Sequence, residues 1–299
     1  MTIDFSEILS RTWKIVWKQK VFWWVGFAVM LVSFLIFPMM FFLMLGVFVS
    51  DNPFQWLENP LVWIIGSIVF VVYILLSYGL SSLARPMLVV GVLKVEQDEK
   101  YLSFGELLRE SIPYFWRFLG LMGLFALSFM LVELVVFGIQ ILGSILTLGL
   151  ASLCLTPLSF LLYPLMYVGL VWLELANVTV VVKGMSVMDS LRHSWELLRQ
   201  NKMNVFIVAL VLYLGLGIVS SLFMFPLFIP MFIAPIYSID HSLSREILWG
   251  VGIFSAVFFP IMIFLDGIIF ALMETGWVLT YLRLTHKSEE QAILAEANA

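Results

Sequence analysis

Charged residues inside long apolar runs are the side chains of this sequence that could do chemistry. Arg85, Glu174 and Glu274 each lie nine positions before the base that ends their run, and those bases are Lys94, Lys183 and Arg283. Equivalent positions of a three-fold array converge on one axis, so these charges could form a buried cluster that lines a pathway. The alternative is an ion pair between repeats that only fixes packing. About 24 uncharged residues on the outer side already span a bilayer core, which favours the packing interpretation.

Two further acids, Glu133 and Asp266, lie in apolar runs and have no equivalents in the other runs. A lone acid inside a membrane is a candidate for function by default. A structural residue that is protonated, or hydrogen-bonded within the protein, is an equal alternative. Both interpretations stay open from the sequence alone.

Motifs for catalysis, nucleotides or metals are absent from the sequence. The histidines, His193, His241 and His286, lie in different segments, and the single cysteine, Cys154, lies in an apolar run. No Walker A, Rossmann, G-x-S-x-G or H-E-x-x-H pattern occurs. No two glycines stand four apart, so the G-x-x-x-G helix-packing motif is missing as well. We therefore predict no catalytic residues, no metal site and no cofactor.

Composition indicates the class of protein. Of 299 residues, 62% are hydrophobic and 12% are charged, and the mean hydropathy is +1.06. Soluble domains carry about a quarter charged residues, so these values predict an integral membrane protein. The net charge is -4, and the basic residues are dispersed instead of gathered on one soluble face, which argues against nucleic acid as a partner.

The elements that must position these charges begin with a helical unit that occurs three times, each time before a long apolar run. The copies are Asp4 to Lys20, Ser103 to Gly120 and Ser186 to Lys202. Each opens with a residue that can cap a helix and carries, three positions later, the acid of a capping box: Glu7, Glu106 or Asp189. Apolar residues recur every three or four positions and bases line the other face. This pattern is typical of a helix lying at a membrane surface with its apolar side inward.

Individual side chains of these surface helices have expected positions. Trp13 and Trp195 are expected to anchor their helices by burying an indole in the membrane interface. His193 is expected to be exposed, and the charge of Lys94 is expected to face water.

Six apolar runs are long enough to cross a bilayer as helices. They are Val21 to Ser50, Leu61 to Leu93, two within Phe118 to Val182, Val205 to Ile233 and Ile247 to Leu282. The runs form three hairpins, each preceded by one surface helix, so parallel repeats cover residues 4–94, 103–183 and 186–283. The predicted fold is an all-α integral membrane domain at residues 1–285. It has six transmembrane helices as three tandem hairpin repeats, each preceded by a cytoplasmic amphipathic helix, and residues 286–299 form a polar cytoplasmic tail.

Basic residues predict the orientation in the membrane. Apart from Arg85 and Arg245, every lysine and arginine falls on one side of this topology, and only Arg245 lies in an opposite turn. Both termini are therefore expected in the cytoplasm of a bacterium, with the spans in its inner membrane.

The segment from Met188 to Phe206 carries a recognisable pattern made of Ser190, Leu191, Ser194, Trp195, Leu197, Leu198 and Asn201. This surface helix, followed by a membrane hairpin and repeated to give six spans, resembles the bacterial glycerophosphoryl diester phosphodiesterase membrane domain family and its uncharacterised multi-pass relatives. In the named phosphodiesterases a separate soluble barrel performs the hydrolysis. Nearly all of this chain is taken up by membrane and surface helices, so the resemblance implies the six-span fold without that activity.

Three classes of function are compatible with these features. The leading hypothesis is a non-enzymatic protein of the bacterial envelope that organises lipid or is the membrane partner of another complex, because each base near anionic lipid contributes about 1 kcal/mol. The alternative is a transporter or channel for a small or amphipathic molecule, for which proline-broken spans and internal charges argue. A membrane-embedded hydrolase ranks third, since no histidine or metal constellation is present. The expected partners are membrane lipids, together with another protein or a second copy of this chain.

Overall fold

The architecture comes from a computed structural model, which describes residues 5–36, 60–97, 102–147, 149–150, 160, 162–226 and 245–297. Within these ranges every regular element is helical. The α-helices are α1 (Phe5–Lys18), α2 (Val21–Phe34), α3 (Pro60–Glu96), α4 (Phe104–Ser111), α5 (Phe115–Leu146), α6 (Leu162–Val182), α7 (Val187–Gln200), α8 (Lys202–Pro226) and α9 (Arg245–Ala297). A 3-10 turn at Ile112–Tyr114 joins α4 to α5, and α8 contains a π-helical stretch at Leu210–Gly215.

Five helical stretches are long and apolar enough to cross a membrane: α3, α4 together with α5, Tyr163–Val182 in α6, α8, and Val257–His286 in α9. A sixth crossing results if α1 and α2, which meet at 89°, count as one broken span. The predictions of an all-helical fold and of several helices long and apolar enough to cross a membrane are confirmed for the described residues. Residues 37–50 of the predicted first span and residues 227–233 of the predicted fifth span lie outside the described residues.

Helix α9 extends beyond the predicted apolar run. That run ends at Leu282, and the helix continues through the predicted polar tail to Ala297. The segment HKSEEQAILAEA is rich in the strong helix formers Glu, Gln, Ala and Leu and contains neither Gly nor Pro. Hydropathy therefore shows where the apolar segment ends. The helix extends beyond that point because the polar residues that follow also favour helix.

The second surface helix is shorter than predicted. Instead of running from Ser103 to Gly120, α4 ends at Ser111, and a 3-10 turn with Pro113 leads into α5. Proline lacks a backbone N–H and disfavours helical geometry in the residue before it, which explains this break. The other two surface helices, α1 and α7, agree with the prediction to within two residues at each end.

Capping boxes are predicted at all three surface helices, and the described residues show a side-chain cap at one. Ser186 Oγ accepts a hydrogen bond from the Asp189 N–H (3.3 Å) and donates one to the Asp189 carboxylate (2.6 Å). Ser103 makes no side-chain cap, and Glu106 pairs with Lys94 instead. The prediction is wrong there because a charged partner attracts the carboxylate more strongly than a backbone amide does. Asp4 lies outside the described residues.

Each surface helix packs against a long helix of the bundle. α4 contacts α3, α7 contacts α6, and α1 contacts α9, so the first surface helix closes the bundle against the last helix. Ion pairs accompany two of these contacts. Lys94 of α3 binds Glu106 and Glu110 of α4, and Arg283 of α9 binds Glu7 of α1. Helices α3, α6 and α9 also contact one another and form the centre of the fold.

We expect the ion pair between Arg283 and Glu7 to contribute little to stability. Both side chains are about half exposed, and exposed pairs contribute roughly 0–1 kcal/mol, which salt reduces further. Arg283→Gln should therefore lower the free energy of unfolding by less than about 1 kcal/mol. Denaturant unfolding at low and high salt measures this loss. A loss above about 3 kcal/mol, the range of a broken buried pair, would show that closure of the bundle depends on Arg283.

The side of α1 that packs against the rest of the protein is not the side with its largest apolar residues. Leu9, Trp13 and Trp17 are exposed. The buried side consists of Ile8, Thr12, Ile15 and Val16. Apolar side chains cover so much of α1 that either side of the helix could pack against the bundle. The side that contains the small residue Thr12 allows α1 to approach the bundle more closely. The large indoles are therefore left outward.

Helices α2 and α9 cross at a pair of glycines that no sequence motif predicts. A Cβ atom on Gly26 would lie 2.0 Å from the carbonyl oxygen of Gly267, and a Cβ atom on Gly267 would lie 2.5 Å from the backbone nitrogen of Phe27. Only glycine leaves room for two backbones at this separation. A search for G-x-x-x-G cannot find this contact, because its two glycines come from different helices.

Candidate functional site

The predicted intramembrane charges meet where α3, α6 and α9 cross. Arg85 belongs to α3, Glu174 to α6 and Glu274 to α9. These helices are apolar on nearly all sides, so the parts of them that meet can be buried against one another. The buried apolar side chains that flank the charges along the three helices include Ala84, Met87, Leu88, Leu173, Leu175, Ala176, Leu272, Trp277 and Val278.

Arg85 is the centre of this charged cluster. Its Nη1 donates to both carboxylate oxygens of Glu174, at 2.8 and 2.7 Å, and lies 2.9 Å from Oε1 of Glu274. The side chain of Arg85 is 16% exposed, and those of Glu174 and Glu274 are 7% and 3% exposed. The guanidinium carbon also lies 5.7 Å from the centre of the Phe270 ring, a cation–π contact. The structure thus brings together the three residues that share one position in the apolar runs.

Tyr213 is a fourth member of the cluster that sequence reasoning missed. It belongs to the π-helical stretch of α8, and its hydroxyl lies 3.5 Å from Oε1 of Glu174. Its ring packs against those of Tyr167 and Trp277. π-Helical turns are rare and are found frequently at functional sites. No sequence pattern predicts such a turn, so the direction of Tyr213 could not have been inferred.

Several buried polar atoms on the helices of the cluster have no hydrogen-bond partner among the described residues. They are Arg85 Nε, both amide atoms of Asn177, Thr275 Oγ1 and Trp277 Nε1. Asn177 follows Glu174 by about one helical turn, and Thr275 directly follows Glu274. Buried polar atoms are normally paired. The polar character of this part of the bundle therefore extends beyond the charges, and Asn177 could have been noticed as a polar residue in an apolar run.

Comparison with known proteins places this geometry in no family. No family model, curated protein or solved structure matches the chain. The resemblance to the glycerophosphoryl diester phosphodiesterase membrane domain family stays a prediction, based on the repeated helical unit.

The two isolated acids have different surroundings. Asp266 on α9 is buried and accepts a hydrogen bond from Ser220 Oγ on α8, at 2.7 Å. Glu133 on α5 is exposed, on a stretch where the neighbouring residues Val132 and Leu134 are exposed as well. The contact with Ser220 favours the hydrogen-bonded interpretation for Asp266, and both interpretations stay open for Glu133.

The predicted anchors Trp13 and Trp195 both lie on the outward sides of their helices. Trp13 is 53% exposed and stacks on Trp17 with ring centres 5.0 Å apart. Trp195 is 43% exposed and packs against Trp172 with ring centres 5.2 Å apart. One side of each indole thus contacts a protein ring, and the other is available to the surroundings.

The histidines do not assemble a metal site in the part of the chain that the structure describes, where no three His, Cys, Asp or Glu side chains are grouped closely enough to hold an ion. His241 and Cys154 lie outside that part. The prediction that His193 is exposed is wrong, because it is partly buried on α7. Burial, together with the positive charge of Lys183, lowers the pKa of His193.

The charged cluster joins three helices through one side chain. The planar guanidinium of arginine has five N–H donors, which suits it for two carboxylates at once. Away from water, loss of the guanidinium would leave both carboxyl groups without their shared donor, so the cluster holds α3, α6 and α9 in one relative position. This geometry agrees with the packing interpretation. The π-helical turn that brings Tyr213 to Glu174 is a feature that packing alone does not require.

Proposed function

We propose that this chain is a non-enzymatic multi-pass protein of the bacterial inner membrane that organises lipid at the cytoplasmic surface or holds another complex there. Both termini and the surface helices lie in the cytoplasm in this proposal. The main support for this proposal is that the outward sides of the surface helices bear both large apolar side chains and bases. Soluble proteins seldom gather such side chains on their surface, whereas a membrane interface accommodates both kinds on one helix.

Each of the three outward sides carries exposed large apolar residues and exposed bases. The large apolar residues on α1, on the junction of α4 and α5, and on α7 include Trp13, Trp17, Ile112, Trp116, Met188 and Trp195. The exposed bases on the same elements include Lys14, Lys18, Arg109, Arg117, Arg192 and Arg199. Indoles favour the head-group region, and each base near anionic lipid contributes about 1 kcal/mol. Together they favour an anionic membrane surface over water.

Matching positions of the surface helices support the three tandem repeats of this proposal. Eight residues after the capping position, the side chain is small, polar and buried in each case: Thr12, Ser111 and Ser194. Nine residues after it, the side chain is large, apolar and exposed in each case: Trp13, Ile112 and Trp195. A small hydroxyl residue allows close approach to the spans, as where the hydroxyls of Ser194 and Thr179 are 2.9 Å apart.

We expect the outward indoles to contact lipid. In nanodiscs with bromine-labelled lipids, Trp13→Phe combined with Trp17→Phe should remove fluorescence that bromine quenches, because both indoles are exposed. Trp277→Phe should remove only unquenched fluorescence, because that indole is fully buried. An equal change in the quenched fraction for both variants would contradict the interfacial position of α1.

Native mass spectrometry of the purified protein tests the function itself. Retained anionic lipid that decreases when Lys14 and Lys18 are both changed to glutamine would support lipid organisation. Loss of lipid on Trp277→Phe but not on the lysine changes would contradict it.

A transporter or channel for a small or amphipathic molecule is the second candidate. The specific observation that favours it is the π-helical stretch that brings Tyr213 to the charged cluster. Reconstitution into liposomes separates the two candidates. Solute flux that Glu174→Gln abolishes and Glu133→Gln leaves intact would establish transport and exclude a purely lipid-organising role.

A further inference from the structure

We propose that the charged cluster of Arg85, Glu174 and Glu274 binds one proton, which is held on Glu274. The inference concerns the ligand of the cluster and does not depend on the proposed role in lipid organisation.

The first argument is the charge of the cluster. One guanidinium faces two carboxylates, so full ionisation gives a net charge of -1 among side chains that are nearly buried. Both carboxylates lie within 2.9 Å of the same nitrogen, so their nearest oxygens are within about 6 Å of each other, a range at which two negative charges disfavour one another. Unbalanced charge is costly inside a membrane. Binding one proton makes the cluster neutral.

The second argument assigns the proton to one of the two carboxylates. Both carboxylate oxygens of Glu174 accept hydrogen bonds from Arg85 Nη1, and the hydroxyl of Tyr213 lies near Oε1. Both oxygens of Glu174 thus have donors within the protein. Glu274 meets the guanidinium through Oε1, at the longer distance of 2.9 Å, and is the least exposed of the three side chains. The more deeply buried carboxylate with fewer donors is the one that keeps the proton.

The other elements packed against α9 do not reverse this charge balance. Helix α8 contributes Tyr213, behind Glu174, and α6 contributes Tyr167 against the ring of Tyr213. Helix α2 (VFWWVGFAVMLVSF) contains no ionisable side chain. Helix α1 binds α9 through Glu7 and Arg283, and Arg283 is nine residues, or about 14 Å along the helix, from Glu274. Arg85 is therefore the cation that serves both carboxylates.

A proton fits this cluster better than a metal cation does. Calcium and magnesium require several oxygen ligands, and the described residues contain no group of three His, Cys, Asp or Glu side chains that could hold a metal ion. The nearest oxygen of Glu274 is already in contact with a positive guanidinium, which would repel a second cation. A proton needs no set of ligands, because it binds directly to one carboxylate oxygen.

The proposal predicts opposite outcomes for two substitutions of the same kind. Glutamine resembles a protonated glutamic acid in shape and charge, so Glu274→Gln should leave the melting temperature in nanodiscs at neutral pH unchanged. Glu174→Gln removes the ionised partner of Arg85 and should lower it. Glu133→Gln, on an exposed acid, is the control for the substitution itself. Equal losses for Glu174→Gln and Glu274→Gln would overturn the proposal, as would a loss confined to Glu274→Gln.

The pH dependence gives a second, independent readout. The proton-bound state is the neutral and stable one, so the melting temperature of the unaltered protein should fall as the pH rises and Glu274 ionises. This fall should be absent in Glu274→Gln and present in Glu133→Gln. A fall that persists in Glu274→Gln would assign the titration to another group and overturn the proposal. A melting temperature that changes when sodium replaces choline at constant ionic strength would identify a bound metal cation and overturn it as well.

Labelling of the unaltered protein keeps the proposal testable if the variants fail to fold. An apolar carbodiimide reacts with protonated carboxyl groups, and the modified glutamate is found by mass spectrometry of the peptides. We expect modification of Glu274 at neutral pH that disappears at alkaline pH, with Glu174 unmodified at both. Modification of Glu174 without Glu274, or of exposed Glu133 without Glu274, would overturn the assignment.

Discussion

Replacing Arg85 with leucine is expected to lower the free energy of unfolding by about 3–5 kcal/mol, one of the largest losses for any single change in this chain. The guanidinium is the shared partner of Glu174 and Glu274, and its removal strands negative charge in an almost fully buried place. Leucine fills much of the volume, so lost packing explains little of the expected effect. Reversible unfolding in mild detergent, or thermal melting in nanodiscs, measures the loss.

The matched control is Arg192→Leu, the same substitution on the exposed side of α7. In detergent without anionic lipid this exposed charge is solvated by water, so the variant should stay within about 0.5 kcal/mol of the unaltered protein. Lys94, which the sequence places in water, is unsuitable as a control because it pairs with Glu106 and Glu110 and is only 13% exposed. Similar losses in Arg85→Leu and Arg192→Leu would mean that the cluster contributes nothing specific.

The share of each glutamate in this effect follows from double-mutant cycles. We expect a larger coupling between Arg85 and Glu174, which are joined by two contacts, than between Arg85 and Glu274, which are joined by one. Exchanging the charges, with Arg85→Glu and Glu174→Arg in one protein, should recover part of the loss caused by Arg85→Glu alone. A coupling of zero for both pairs would contradict the contacts.

Replacing Gly26 with alanine is the second change with a large expected effect. The new methyl group would lie 2.0 Å from the carbonyl oxygen of Gly267, and a backbone atom cannot move aside as a flexible side chain can. Overpacking of a core typically costs about 1–3 kcal/mol, and a clash with backbone should lie at the upper end of that range or above it. The unfolding free energy in detergent should fall accordingly, and Gly267→Ala should have a similar effect.

The control for this prediction is Gly123→Ala on α5, where a Cβ atom would have nothing within 4 Å. Alanine has the higher helix propensity, by roughly 1 kcal/mol in exposed helices, so this variant should be neutral or slightly stabilising. The same substitution thus has opposite expected signs at two helical glycines. A neutral Gly26→Ala would show that α2 and α9 do not approach this closely.

The meeting of Arg85, Glu174 and Glu274 could be predicted because it depends on chain geometry that the sequence contains. Apolar runs of similar length, each ending in a base, place residues nine positions before that base at a similar depth in the bundle. The apolar runs also indicated where the long helices lie. The depth of a residue in the bundle can therefore be predicted from the hydropathy of the sequence.

The features that escaped prediction depend on rotation and close contact, which hydropathy does not report. The buried side of α1 could not be inferred because Leu9 and Trp13 are as apolar as Ile8 and Ile15, and a lipid environment accepts either side. The approach of Tyr213 depends on a π-helical turn, and that of Gly26 to Gly267 depends on which helices become neighbours. Each of these follows from tertiary packing alone.

The contact between Gly26 and Gly267 also sets an order of events during synthesis of the chain. The two glycines are 241 residues apart, and ribosomes add about 5–20 residues per second, so α2 is complete roughly 10 to 50 s before its partner exists. During that interval the glycine face of α2 can be covered only by lipid, by another helix of the chain or by an insertion factor. Insertion and final packing are therefore separate stages for α2, and a ribosome stalled before α9 would leave α2 inserted without the partner of Gly26.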